Sequence, residues 1–299
     1  MPTVTNTDEL PYLSQEPISD EALCIEYGLK QDFNKTLIKS YTSNVLDTYK
    51  GFKKVKEEPN TPLFFGVELE ICVLNRYPGA DDTMEHGIVH KVLKSLSGRA
   101  IVCHDGSVTA GFEIVTIPAT LNYHKTSMWN NFFNPEITNH LVGMPYCGNH
   151  VHVSKAAWTP LSVGKLLSFM HSDENSDFLD VISSRGQTSY CTRNHSFNKV
   201  TSVFREGHNR TSAVNITPSQ TIEFRLFKSS INPANLLKNL EFIDALRMFT
   251  FHSKISDMRS DKYLEFVKAN HYMWPYLTNF LIKNNQIVIE RKIRERSAA

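Results

Sequence analysis

The chain has 299 residues, 41% of them hydrophobic and 21% charged, with a formal net charge of +1. That is an ordinary globular composition with apolar material for a sizeable core in one large domain or two small ones. So balanced a charge gives no electrostatic reason to expect a nucleic acid or an anionic membrane as partner.

Residues 1 to about 20 are polar and rich in Thr, Ser and Pro. They lack the basic and apolar regions of a signal peptide and read as a loose arm. From Glu21 to Lys54, Leu37, Tyr41, Val45 and Tyr49 recur at intervals of four and predict a helix. A helix of about 35 residues rarely folds alone, so this segment is expected to dock on the rest of the chain or on a partner subunit. Pro59 and Pro62 end the pattern, and the run "TPLFFGVELEICVL" (Thr61 to Leu74) predicts the first strong strand. A helix over "MEHGIVHKVLKSLSG" ends at Gly98, and "RAIVCHD" and "TAGFEIVTIP" read as two strands around the turn "HDGSV". "LNYHKTSMWNNFF" reads as helical and "CGNHVHVSK" as a strand. Thr159 and Pro160 form the N-cap and first position of a helix in "TPLSVGKLLSFMHS", and another runs through "SDFLDVIS". Three short strands are predicted in "KVTSVFREG", "RTSAVNIT" and "QTIEFRLFK". The clearest helix starts at the Asn232 cap and Pro233, with Leu236, Leu237, Leu240, Ile243, Leu246 and Phe249 at helical spacing. More helix runs to about residue 284, and the charged tail "IERKIRERSAA" is expected to fray. Strands crowded between residues 60 and 230 predict an α+β fold with a largely antiparallel sheet and helices on one face. The five scattered cysteines (Cys24, Cys72, Cys103, Cys147, Cys191) form no CxxC pair and read as reduced thiols of a cytoplasmic protein. No run of about 18 apolar residues suggests a membrane span.

One feature of the strands is chemical. Glu68 and Glu70 are two apart in the first strand, so both carboxylates share a face, about 6.7 Å apart, while Val67, Leu69 and Ile71 take the other. His150 with His152 in "GNHVHV", Glu223 with Arg225 in "TIEFRLF", and Glu113 in "GFEIV" repeat this division, and Asp105 ends "IVCHD". Each alone fits a solvated face or a cross-strand ion pair. If the faces converge, five carboxylates (Glu68, Glu70, Asp105, Glu113, Glu223) and a histidine share one cavity. Two unit charges about 6 Å apart repel by about 2–3 kcal/mol at an effective dielectric near 20. Such a set needs cations or large pKa shifts, and the loss of one acid is expected to stabilise the cation-free protein. Oxygen ligands with one imidazole per site suit Mg²⁺ or Mn²⁺, and a metal among carboxylates with arginines nearby faces phosphate. No GxxxxGK[ST] or GxGxxG run exists, so P-loop and Rossmann readings fail. Cys147 beside "GNHVH" reads as a small buried hydrophobe, Phe64 and Phe65 read as core, and Asp82, His86 and His90 as a solvated helix face.

The ordered motifs "GVELE", "DGSVTAGFEIVT", "GNHVH", "RTSAVNI" and "TIEFRLF" resemble those of the carboxylate–amine ligase superfamily. That superfamily contains glutamine synthetase, glutamate–cysteine ligase and a broad group of amidoligases, and the likeness is closest to the last. It covers about residues 62 to 285, and divides the chain into an N-terminal extension (1–60), a catalytic domain (61–285) and a charged tail (286–299). The resemblance implies a curved, mainly antiparallel β-sheet funnel of glutamine-synthetase catalytic-domain type, with helices packed on its outer face. ATP would enter one end, a carboxylate and an amine substrate the other, with two or three Mg²⁺ or Mn²⁺ ions between. It implies that Glu68, His150 and Glu223 hold the ion at the β- and γ-phosphates, and that Glu70, Asp105 and Glu113 hold the ion nearer the acyl acceptor. His152 and Asn215 would lie by the nucleotide, and Arg210 and Arg225 would steady the transferred phosphate. The catalytic set so implied is Glu68, Glu70, Glu113, Arg210, Glu223 and Arg225. Two positions depart from glutamine synthetases. Asp105 stands where they carry a glutamate, eight residues before the one matching Glu113, and Asn215 stands where they often have a second arginine, five residues after Arg210. The asparagine fits the amidoligase pattern and argues against glutamate plus ammonia as substrates.

The activity this implies is ATP-dependent amide-bond formation through an acyl phosphate. A phosphotransferase of related fold, acting on a carboxylate or guanidino substrate, is the alternative enzyme; its nucleotide would be bound mainly by arginines, so five acidic ligands speak against it. A decayed binding or structural protein is the alternative non-enzyme; retention of all six implied ligands speaks against that. A zinc hydrolase using His150 and His152 would need a third compact ligand. The loop from Ser183 to Asn198 offers Arg185, Tyr190 and Arg193 to an acidic substrate, or is plain surface. Whether the protein is a monomer or a symmetric oligomer is left open by the sequence.

Overall fold

A computed structural model describes residues 38–39, 63–74, 83–108, 110–193 and 210–289. Its strands are β1 (Ile38–Lys39), β2 (Phe64–Val73), β3 (Ala100–Cys103), β4 (Gly111–Thr116), β5 (Ala119–Thr120), β6 (Leu141–Val142), β7 (Gly148–Ser154), β8 (Val214–Asn215) and β9 (Thr221–Lys228). Its longer helices are α1 (Thr83–Leu96), α2 (Pro160–Met170), α3 (Ser176–Ser183), α4 (Pro233–His252), α5 (Ser260–Ala269) and α6 (Pro275–Lys283). The strands form one open sheet in the order β1-β3-β4-β2-β7-β9-β8, with β5 and β6 pairing to the two ends of β2. All these pairings are antiparallel except β1 with β3. The fold is therefore mixed α+β with a mainly antiparallel sheet.

Strand β2 is central because both its faces have work. Phe65, Val67, Leu69 and Ile71 are fully buried on the helix-covered face. Val151 and Val153 of β7, Ile222 and Phe224 of β9, and Phe112 and Ile114 of β4 share that face and are equally buried. Helix α4 closes over it. Every residue from Leu236 to Ile243 is buried, so this helix runs through the core, with the sheet on one side and α2, α5 and α6 around it. Phe242 meets Phe227 of β9 edge-on, with ring centroids 5.9 Å apart. Asn239 Nδ2 donates to Asn149 Oδ1 (3.0 Å), pairing with the polar residue that β7 turns toward the apolar face.

Local signals set the helix ends. Ser97 and Gly98 adopt positive φ (47° and 75°) and turn the chain from α1 into β3. Thr159 Oγ1 accepts from Ser162 N at the start of α2, and Asn232 Oδ1 accepts from Ala234 N at the start of α4. Lys165 Nζ donates to the carbonyls of Thr250 and Ser253, a cation on the C-terminal end of α4.

Several expectations change. Ile38 and Lys39, placed by their spacing in a helix, instead pair in parallel with Val102 and Cys103. The open edge of β3 supplies ladder partners, and tertiary pairing outweighs local helix periodicity. The helix expected over Leu121–Phe133 is one turn (Leu121–Tyr123) followed by a π turn (His124–Met128). His124 explains the interruption. Its Nε2 bonds the Phe65 carbonyl (2.9 Å) and its Nδ1 accepts from Trp129 Nε1 (3.1 Å), so the ring is tied to β2 rather than following the helix. Burial lowers the pKa of His124 to about 4, in keeping with a neutral ring. The strand in "RTSAVNIT" shrinks to Val214–Asn215. The rest of residues 1–62, including Cys24 and the predicted N-terminal helix, lies outside the described residues, as do Asp82, the strand in "KVTSVFREG" and the tail from residue 290. Cys72, Cys103, Cys147 and Cys191 are buried and form no disulfide among the described residues. Among the described residues, no helix is long and apolar enough to cross a membrane.

Tyr263 of α5 is the hub of the helical layer. Phe169, Phe178, Phe242 and Phe249 surround its fully buried ring at centroid distances of 5.5, 5.7, 5.6 and 5.6 Å, and its hydroxyl donates to the Phe242 carbonyl (3.3 Å). Tyr263→Phe, which loses only the hydroxyl bond, is expected to cost about 1 kcal/mol. Tyr263→Ala, which leaves a cavity among four rings, should cost about 3–5 kcal/mol. Urea unfolding followed by tryptophan fluorescence measures both, and equal losses would contradict this packing.

Candidate functional site

Sheet register brings the ionisable residues together. Glu68 lies opposite His150, Glu70 opposite Glu113, and His152 opposite Glu223, which in turn lies opposite Asn215. Paired residues point to the same side of a sheet, so β4, β2, β7 and β9 present one continuous ionisable face. Asp105 joins it from the turn after β3. Glu70, Glu113, His150 and Glu223 are only 4%, 7%, 7% and 5% exposed, which rules out a solvated outer face.

Contacts differ from one end of this face to the other. Glu68 sits between two imidazoles: Oε2 is 3.3 Å from His150 Nδ1 and Oε1 is 3.0 Å from His152 Nε2. Burial acts to raise the Glu68 pKa, but the two histidines outweigh it and hold the carboxyl well below its usual range. For His152 the balance is reciprocal. Burial lowers its pKa, the carboxylates of Glu68 and Glu223 raise it more, and it lies at about 9. Its Nδ1 is 3.2 Å from Thr221 Oγ1. Glu223 accepts from Asn215 Nδ2 (2.8 Å) and pairs with Arg225 Nη1, while Arg225 Nε donates to the Tyr190 carbonyl (3.3 Å).

Toward β4 the acids outnumber the bases. Glu70 Oε2 accepts from the Gly148 amide (2.5 Å), and its Oε1 is 3.6 Å from His150 Nε2. Burial raises the Glu70 pKa despite these partners. Glu113 is raised well above its usual value by burial first and then by the carboxylates of Glu68, Asp105 and Glu70. Asp105 Oδ1 accepts from the amide and hydroxyl of Ser107, both at 2.6 Å, which fixes the turn.

Three sets of ligand atoms lie mutually within 4.8 Å: Glu68, His152 and Glu223; Glu68, Glu113 and His150; Glu70, Asp105 and Glu113. The last is the set the motif resemblance implied for one ion. In the first, His152 rather than His150 accompanies Glu68 and Glu223, while His150 turns toward Glu113. Glu68 and Glu113 each belong to two sets, so the three are contiguous.

Other candidates are placed differently. Asn215 holds Glu223, and its Oδ1 accepts from Thr217 N (2.9 Å), so its amide serves the site's framework. Arg210 occupies an exposed turn before β8, with no bond to the acidic face among the described residues. Arg193 pairs with Asp180 and donates to the Ser176 carbonyl, and Arg185 donates to backbone carbonyls; neither is a free grip for an acidic substrate. Tyr190 is exposed at 67%. Cys147 is fully buried with its pKa raised to about 12, chiefly by burial, which suits an inert thiol. Sequence reasoning missed the Gly148 amide on Glu70 and the Ser229 hydroxyl on the Glu70 carbonyl. The glycine before "NHVH" was the visible trace of the first. A Cβ there would stand 2.7 Å from His150 Nε2, so the imidazole lies where a side chain would be. No family model matches the chain, and no curated protein matches it.

Two outcomes follow from this geometry. Glu113 is protonated more readily folded than unfolded, so its contribution to stability is whole below about 4.5 and is lost as pH rises through its raised folded value. Without divalent ions at pH 7, Glu113→Gln should therefore stabilise the protein by about 1–3 kcal/mol, the scale of one close like-charge contact. Its advantage should vanish below pH 4.5, which thermal melts across that range will measure. Gly148→Ala should fold, because an imidazole can rotate away, but should weaken Mn²⁺ binding at least about tenfold in calorimetry by moving His150 off Glu68 and Glu70.

Proposed function

We propose that the chain is an ATP-dependent carboxylate–amine ligase that joins an acid to an amine through an acyl phosphate. The observation that carries this reading is the acidic face, buried at Glu70, Glu113, His150 and Glu223: five carboxylates and two histidines in three contiguous ligand sets, with Arg225 at its edge. The motif order that resembles amidoligases maps onto that face strand by strand. On this reading the open sheet is the wall of a glutamine-synthetase-like funnel, and cysteines outside disulfides suit a reducing, cytoplasmic compartment.

Divalent cations fit the donors present. Glu70 and Glu113 face one another directly across β2 and β4, and like charges so placed are destabilising unless a proton or cation intervenes. His152 Nε2 is buried and 3.0 Å from Glu68 Oε1, an ion pair without an aligned hydrogen bond, in which a divalent ion could take the place of the imidazolium proton. Glu70, Asp105 and Glu113 would hold one ion, Glu68 with His152 and Glu223 another, and Glu68 with His150 and Glu113 a position between them. Bound there, Mg²⁺ or Mn²⁺ would offset carboxylate charge and polarise phosphate oxygens.

The chain's own residues supply the rest. Arg225 has its Nη1 and Nε committed to Glu223 and the Tyr190 carbonyl, which orients the remaining Nη2 donors as a phosphate contact. A carboxylate oxygen of the acid attacks the γ-phosphorus as the bond to the ADP oxygen breaks. The amine nitrogen then attacks the acyl carbon, phosphate leaves with the C–O bonding pair, and the amine's proton passes to a carboxylate of the face. Burial of this face limits water, which would otherwise hydrolyse the acyl phosphate.

The test is incubation with ATP, Mg²⁺ and pools of carboxylates and amines. ADP should appear in step with amide product and only when both substrate classes are present. Turnover with an acid alone, without amide, would instead favour a phosphotransferase. Glu68→Ala and Glu223→Ala should each abolish Mn²⁺ binding at the set they share, with the circular dichroism of the fold unchanged. Unaltered Mn²⁺ isotherms in both variants would defeat the shared-site picture.

A further inference from the structure

Strands β7 and β9 fall out of register beside the site. Asn149 pairs with Phe227 and Val151 with Phe224, so Arg225 and Leu226 together face the single residue His150. Such a β-bulge breaks the ladder and re-aims the side chains around it. One guanidinium holds it. Arg185, just beyond α3, donates from Nε to the Leu226 carbonyl (3.1 Å) and from Nη2 to the Arg225 carbonyl (2.6 Å). Its Nη1 reaches the Cys147 carbonyl at 3.5 Å, directly before Gly148. Arg185 thus spans both residues of the bulge and the start of the facing strand.

Those backbone groups bear on the site from two directions. Arg225 is the bulge residue whose guanidinium pairs with Glu223, and Gly148 is the residue whose amide holds Glu70. Arg185 Nη2 would lie 3.5 Å from a Cβ on Gly148, so the guanidinium is packed against the first residue of β7. Among the described residues no carboxylate forms an ion pair with Arg185, whose donors go to three backbone carbonyls and to the Cys191 thiol. Its charge also helps to lower the pKa of the buried Glu70, though the two form no ion pair.

We propose that Arg185 is a positioning residue of the phosphate end of the site, pinning the β9 bulge so that Arg225 stands against Glu223 and toward the ligand. The inference rests on the phosphate-binding reading above. Because Arg185 acts through Arg225, the two residues should be coupled in ligand binding. A guanidinium that merely stabilises the fold would show no such coupling.

Mn·ATP binding by calorimetry tests this in the full chain, with wild type, Arg185→Gln, Arg185→Lys, Arg225→Gln and the Arg185→Gln/Arg225→Gln double variant. Arg185→Gln and Arg225→Gln should each weaken binding about tenfold, and the double variant should be no weaker than Arg225→Gln alone. Arg185→Lys keeps a cationic donor for one carbonyl and should fall between wild type and Arg185→Gln; it carries the comparison if the glutamine variant does not fold. Wild-type affinity in either Arg185 variant, or a double variant that loses the full product of the single losses, would overturn the positioning role while leaving the ligase reading intact. A wild-type protein that binds no Mn·ATP would remove the phosphate reading, and this inference with it.

Discussion

Two carboxylates in the central strand of a sheet are the constraint on which this structure depends. Side chains on β2 alternate, so the run that buries Phe65, Val67, Leu69 and Ile71 must turn Glu68 and Glu70 to the opposite side. A slip of one residue would put both acids into the helix-covered core and bring the aliphatic side chains out. An ionised carboxylate left unpaired in such a core is far costlier than a lost apolar contact. The acids therefore act as a register lock. Pairing along the whole length of β2, by β4 and β7 over its body and by β5 and β6 at its ends, follows from that fixed register.

The opposite face is an electrostatic problem solved at one end and left open at the other. Near β7 and β9 each acid has a basic neighbour: Glu68 has His150 and His152, and Glu223 has Arg225. The depressed Glu68 pKa records that balance, so Glu68 is not the repelled acid that the sequence alone suggested. Near β4 the balance fails. Glu113 faces Glu70 with Asp105 alongside, and they are opposed by the Gly148 amide, the edge of His150 and the more distant charges of Arg185 and Arg225. Glu113 is held above its usual pKa by burial first and then by the three neighbouring carboxylates, against which the charge of Arg225 is too weak. The face thus grades from paired to acid-rich across a few strand spacings, and the acid-rich end is where an added cation gains most.

Much of this was legible because strands obey a period of two. "GVELE", "GNHVHV", "TIEFRLF" and "GFEIV" each divide into an apolar and an ionisable set, and those sets became the two faces of β2, β7, β9 and β4. What alternation cannot give is which strands are neighbours, and that decides whether five acids make five surfaces or one site. It also cannot give side-chain direction within a face, so it could not show that His152 groups with Glu68 and Glu223 while His150 groups with Glu68 and Glu113. The helix pattern failed where a tertiary contact took precedence, at Ile38–Lys39 on the edge of β3 and at His124 tied to Phe65. Arg185 and Arg193 looked like substrate contacts because they sit in a polar loop. Their roles depend on carbonyls and an acid brought near by folding, which no local sequence pattern encodes.

The two faces are also coupled mechanically. Asn149 is the polar residue that β7 turns toward the apolar side, and it is next to the bulge at His150. It bonds Asn239 of α4, yet Asn149 Nδ2 and Asn239 Oδ1 are buried with no hydrogen-bond partner among the described residues. A pair that leaves two amide atoms unsatisfied adds little net stability, since each orphan forfeits its hydration. Two apolar residues of like volume would pack there at less cost. What the amides add is position: one bond of fixed geometry between helix and strand, where apolar packing alone would tolerate sliding. That bond fixes α4 against the last residue of β7 that is still in register with β9 before the bulge. With Asn239 holding the strand from the core side and Arg185 holding the bulge carbonyls, the change in register is confined to a single residue. That residue is His150, whose imidazole must reach both Glu68 and Glu70.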